Sequence, residues 1–141
     1  MELSREARSV SGIVLLTVPT IMYGGATLLG VLTSGAAGLR PGGLELTETQ
    51  WALFRAGHAH AGVWVLFSLV LQVLLDTAVL DRGLKWVARI AAPLAAVAIS
   101  GGFFGIAFVP AFRWLLYVGA ISLAISVVLT GVGLLRRQQR A

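Results

Sequence analysis

TETQWALFRAGHAHAGVW, residues 47–64, opens an apolar run that continues to Leu75 and carries the only two histidines of the chain, His58 and His60. Thr47 followed three residues later by Gln50 is a helix-start signal, a reciprocal capping box in which each side chain satisfies the other's backbone N–H. Arg55, His58 and His60 follow within the run, where hydrocarbon would surround them. Ionisable groups inside a membrane span are costly, and by default they are read as functional.

Three further apolar runs accompany this one. The predicted spans are residues 11–33, 50–75, 90–108 and 114–135, each close to the 20 or so residues that cross about 30 Å of hydrocarbon. The fold class expected is an all-α membrane protein, a bundle of four transmembrane helices forming one domain over residues 1–141. Only 12% of residues are charged and the mean hydropathy is +0.89, whereas about a quarter of a soluble domain is charged. The first apolar run is too long for a signal-peptide core and is read as a retained span. No connection is long enough to fold a soluble domain. The net charge of +5 is scattered over membrane flanks without a basic stripe. It therefore points to the lipid bilayer as partner and not to nucleic acid. With no cysteine, disulfides, iron–sulfur clusters and thiolate metal sites are excluded.

The connections are short. SGAAGLRPGGLELTE (34–48) is glycine-rich and ends acidic, with Glu45 and Glu48 before the second span. Asp76, Asp81, Arg82 and Lys85 are expected in the next turn, and Val109-Pro110 breaks the third span just before Arg113. Arg5, Arg8, Arg82, Lys85, Arg89, Arg136, Arg137 and Arg140 fall on one side, with Arg40 and Arg113 on the other. The positive-inside rule then places both termini in the cytoplasm, with Arg55, His58, His60 and Arg113 toward the outer leaflet.

Two residues apart on a helix means about 200° of rotation and about 3 Å of rise. His58 and His60 therefore point to nearly opposite sides and cannot chelate one ion together, as an i, i+4 pair could. The spacing suits one helix supplying one ligand to each of two cofactors. By rotation, Trp51, Arg55, Gly62 and Gln72 share the His58 side, while Ala56, Trp64 and Phe67 lie near His60. Gly57 and Gly62 are expected to leave room beside the imidazoles for a large planar ligand, and Gly24-Gly25 and Gly30 to give the first span a thin face. Against this stands a plainer reading, in which both histidines are neutral hydrogen-bonding glue between helices. Arg55 and Arg113 can likewise snorkel to the interface. Tyr23 and Tyr117 read as anchors. Met22 lies deeper than the histidines.

GHAHAGVW at the start of the second of four spans resembles the small four-span bacterial proteins related to the heme-copper oxidase catalytic subunit. That subunit has three arcs of four helices in pseudo-threefold array, and one helix bears a His-x-His ligating two hemes on its two sides. The resemblance implies that this chain corresponds to one such arc. It implies that His58 and His60 are heme ligands, and that Arg113, after Val109-Pro110, binds a heme propionate. Arg55 stands above His58, where a second propionate contact would fit. A homotrimer would rebuild the full ring, with a heme b between subunits ligated by His58 of one chain and His60 of its neighbour. With no further histidine, the chain lacks the copper site of an oxidase, so electron transfer or handling of a small gas (oxygen or nitric oxide) is the function implied. The localisation implied is the bacterial cytoplasmic membrane. Two other classes remain open: a small transporter or channel lined by the His/Arg cluster and Gln72, and a cofactor-free subunit of a larger membrane complex.

Overall fold

The computed structural model describes residues 2–34 and 46–136. Four helices follow one another: α1 (Arg5–Ser34), α2 (Glu48–Thr77), α3 (Arg82–Ile106) and α4 (Arg113–Leu135). A single 3-10 turn, Pro110–Phe112, precedes α4. Each helix is long and apolar enough to cross a membrane, and among the described residues there is no strand. The expected all-α, four-span class is what is found. The connection at 35–45, with Arg40 and Glu45, and the tail at 137–140 lie outside the described residues.

Local chemistry sets most helix ends. The Thr47 hydroxyl accepts the Gln50 N–H at 3.2 Å, and the Thr47 N–H donates to Gln50 Oε1 at 2.9 Å, completing the expected capping box. Gln50 has a second task that sequence did not reveal: its Nε2 donates to the Ala107 carbonyl at 2.8 Å, tying the start of α2 to the end of α3. Val109 is extended, as a residue before proline prefers, and the chain turns there.

Two helices extend beyond the spans expected of them. α1 begins at Arg5, ahead of the span at 11–33, because the Ser4 hydroxyl accepts the Ala7 N–H and caps an earlier turn. α3 begins at Arg82, ahead of the span at 90–108, because Asp81 caps it through the Leu84 N–H at 3.0 Å. Hydropathy marks the slab a helix crosses, while caps mark where the helix starts. Arg82, Lys85 and Arg89 are thus helical and not turn residues. Asp76 likewise belongs to the last turn of α2.

α3 is the most enclosed helix and α1 the least, with 44% and 6% of their apolar windows buried. α3 packs most extensively on α4 and then on α2, while α1 leans on α2, touches α3 little and, among the described residues, does not meet α4. The α3 surface is a run of buried small residues: Ala88, Ala91, Ala92, Ala95 and Ala96. Close approach to α4 is enforced by Gly119, where an added Cβ would lie 2.6 Å from Ile99 Cγ1. Small residues let helix backbones touch in a bilayer, where no hydrophobic force separates helix from lipid.

Hydrogen bonds between buried polar groups complete the packing. Ser126 of α4 donates to the Ala88 carbonyl at 2.8 Å. Arg89, only 3% exposed, forms an ion pair with Asp76. It also donates to the Gln72 carbonyl and Oε1, at 3.2 and 3.1 Å, and to Ser4 Oγ at 3.3 Å. Gln72 returns a bond to the Arg89 carbonyl at 2.9 Å, and Ser4 donates to both Asp76 oxygens, at 2.8 and 2.7 Å. Removing one partner of such a pair strands a charge. Arg89→Ala is expected to cost about 3 kcal/mol or more in thermal unfolding of the detergent-solubilised protein. The double variant Asp76→Ala/Arg89→Met is expected to recover much of it.

Candidate functional site

Arg55, His58, His60 and Gly62 all lie in the first half of α2. His58 stands about 15 Å of helix below Glu48. The half-turn offset sends the two rings to different neighbours, as the spacing requires. His58 turns to α1, where an added Cβ on Gly25 would fall 2.7 Å from its Cε1 and 2.8 Å from its Nε2. His60 stacks on Phe103 of α3 with ring centroids 4.7 Å apart, and Trp64 lies one turn along at 6.2 Å.

The two imidazoles differ in hydrogen bonding. His60 Nδ1 lies 2.7 Å from the Ala56 carbonyl. A carbonyl oxygen only accepts, so the proton sits on Nδ1 and the lone pair on Nε2. That tautomer, fixed by a backbone carbonyl, is the one that presents Nε2 to a metal. Trp64 adds a second signal, because its buried indole N–H has no partner among the described residues. An unpartnered indole donor thus lies one turn along α2 from a ring whose Nε2 makes no hydrogen bond among the described residues. The His60 face therefore fits a ring-bound cofactor.

The His58 face fits one less well. No hydrogen bond engages its ring among the described residues, but the Gly25 backbone already lies against it. A flat macrocycle would enter there only if α1 moved aside. Gly25 itself is the thin face expected of the first span, filled by His58, whereas Gly24 opens on empty space.

The remaining candidates divide. Gly62 opens on empty space as expected, with nothing within 4 Å of an added Cβ. Gly57 does not: Phe104 of α3 occupies the place of its side chain at 3.1 Å, so this glycine serves helix packing. Gln72 is no lining of a polar path, for it is fully buried and spent on Arg89. Arg55 and Arg113 are exposed, and neither makes an ion pair among the described residues. Arg113 is the first residue of α4, on the same end of the bundle as Gln50 and Ala107. Met22 is 69% exposed. Among the described residues no group of three or more His, Cys, Asp or Glu side chains is placed to hold a metal ion. Phe103 and the Ser4–Gln72–Asp76–Arg89 cluster were not singled out from sequence. The four-residue spacing of Gln72 and Asp76, which puts two polar groups on one face of an apolar helix, is the signal that marks the latter.

Four helices long and apolar enough to cross a membrane make this a multi-pass α-helical membrane protein, with both histidines on its second helix. No protein-family model, curated protein or solved structure matches the chain.

The fit of His58 against Gly25 is testable by itself. Gly25→Leu is expected to destabilise the fold by about 1–3 kcal/mol through overpacking. In a His58→Ala background the cost should shrink, giving a coupling of at least about 0.5 kcal/mol in a double-mutant cycle.

Proposed function

We propose that this chain is a heme b-binding protein of a bacterial cytoplasmic membrane, a homotrimer that carries electrons or handles a small gas. The observation that carries the reading is His60: its Nδ1–H is spent on the Ala56 carbonyl, and its Nε2 is unused among the described residues, on a ring 6.2 Å from that of Trp64. The opposed directions of the two rings mean that one chain cannot bring both to a single iron. His60 of one subunit and His58 of its neighbour are therefore the pair assigned. A heme b held by two imidazoles would supply a six-coordinate, low-spin iron for one-electron exchange. Arg55 and Arg113, both exposed and free of ion pairs among the described residues, carry the positive charge that propionates would require. For His58 to serve, α1 must yield at Gly25, and α1 is the helix with the least buried surface.

Orientation follows the basic residues. Arg89 drops out of the topology count, because its charge is spent inside the bundle on Asp76. Arg5, Arg8, Arg82, Lys85, Arg136, Arg137 and Arg140 still outweigh Arg40 and Arg113. Both termini are therefore assigned to the cytoplasm and the histidines to the outer leaflet.

One observation favours a second reading, that of a cofactor-free subunit: the His58 ring already lies against the backbone of α1 at Gly25. An absorption spectrum separates the two. The heme reading expects a Soret band in the protein as purified and sharp bands on reduction. Loss of pigment is expected in His58→Ala and in His60→Ala alike, with a trimer mass in detergent. A colourless protein that takes up no heme on reconstitution would leave the cofactor-free subunit standing.

A further inference from the structure

At the end of the bundle where α1 and α3 begin, a pocket of about 630 Å³ is lined by charges of both signs. Asp76 and Arg89 form part of its wall, and each is spent on the other. Glu2, Glu6, Arg82 and Lys85 also line it, and none of the four makes an ion pair among the described residues. Glu6 and Lys85 are half-buried, so their charges are partly withdrawn from water without a partner in return. Two unspent carboxylates and two unspent cations, too far apart to pair with each other, leave room for a group that itself carries both signs.

The pocket is the mouth of a longer valley. α1 leans on α2 and scarcely touches α3, which leaves a groove of about 600 Å³ between them. On α1 the stripe Glu6, Val10, Val14, Thr17 and Ile21 runs from pocket into groove in steps of three or four residues, which is one face of a helix. On α3 the stripe Arg82, Lys85, Arg89, Pro93, Val97 and Gly101 does the same. Charge stops at Glu6 and Arg89, and the next roughly 17 Å of both stripes carries none. Thr17 and Thr20 return their hydroxyl protons to carbonyls of their own helix at 2.7 and 2.6 Å. A doubly charged head continued by an apolar chain, lying beside helices in a bilayer, has the form of a zwitterionic phospholipid.

The pocket also distinguishes among headgroups. A phosphodiester accepts hydrogen bonds from the Arg82 guanidinium and the Lys85 ammonium. A primary ammonium donates to the carboxylates of Glu2 and Glu6. A quaternary ammonium has no N–H and is held by aromatic faces, and no aromatic ring lines the pocket among the described residues. A purely anionic head would set like charge beside both glutamates. We propose that pocket and groove together hold a phospholipid of the phosphoethanolamine type, its phosphate on Arg82 and Lys85, its ammonium on Glu2 and Glu6, and one acyl chain between α1 and α3. The site stands apart from the heme reading, since neither histidine lines either part.

Native mass spectrometry of the full chain, delipidated in detergent, tests it. The probes are phosphatidylethanolamine, phosphatidylcholine and phosphatidylglycerol with the same acyl chains, each added at the same concentration. Phosphatidylethanolamine is expected to be retained roughly tenfold more than phosphatidylcholine, the factor that one charge-assisted hydrogen bond provides. Glu2→Gln/Glu6→Gln should remove that preference and leave phosphatidylcholine binding unchanged. Arg82→Gln/Lys85→Gln should weaken both lipids alike, because both carry the phosphate. Val97→Trp, at a position 72% exposed on the groove, should weaken all three lipids and keep their order, with circular dichroism showing that every variant remains helical. Glycerophosphoethanolamine, the same head without chains, should not displace the lipid at equal concentration. Equal retention of the ethanolamine and choline lipids, a preference that survives Glu2→Gln/Glu6→Gln, stronger retention of phosphatidylglycerol, or displacement by the chainless head would overturn the proposal.

Discussion

The buried ion pair between Asp76 and Arg89 is the constraint on which the bundle depends. Taking two charges out of water is expensive and is offset only when the remaining lone pairs and protons are also engaged. Here Gln72 and Ser4 engage them, and each comes from a different helix than Arg89. That requirement fixes the register of α2 against α3, and it fixes where α1 must begin. The turn between α2 and α3 follows from the same register, with the Val79 N–H resting on the Gly133 carbonyl of α4 at 2.8 Å. At the opposite end Gln50 joins α2 to α3 again. α2 and α3 are therefore clamped at both ends, and α1 is tied to them at its amino end through Ser4.

What sequence revealed and what it hid divide along the range of the interaction. The capping box at Thr47 and Gln50 was legible because both partners lie within one turn. The four spans were legible because hydrocarbon thickness sets a length that composition alone reveals. The start of α3 was not, since Arg82, Lys85 and Arg89 lower the hydropathy without interrupting the helix. Arg89 is the sharpest case: as one basic residue near a membrane end it reads as a topology signal, and only the fold brings Asp76 to it. The partner of Gln72 was hidden for the same reason, being a backbone carbonyl on another helix.

The histidine pair shows the same division within one motif. Helical rotation alone told that the rings oppose each other and that Trp64 lies near His60. It could not tell that α1 would close over His58 through Gly25, or that Phe103 would lie against His60, because both neighbours come from distant segments. The result is two imidazoles in unlike states. One has its tautomer set by its own helix. The other is shaped by the backbone of a neighbour. Gly57 and Gly62, alike in sequence, part company too, one filled by Phe104 and the other open.

The Ser4 contacts bear on how the protein is assembled. Ser4 meets Asp76 and Arg89 across separations of 72 and 85 residues. During synthesis the first helix thus enters the bilayer long before the groups that anchor its amino end have left the ribosome. Local contacts form early and distant ones late, so the packing of α1 on α2 precedes the closing of the polar cluster on Ser4. The amino end of the leading helix is thus pinned only after the third helix has followed it into the bilayer.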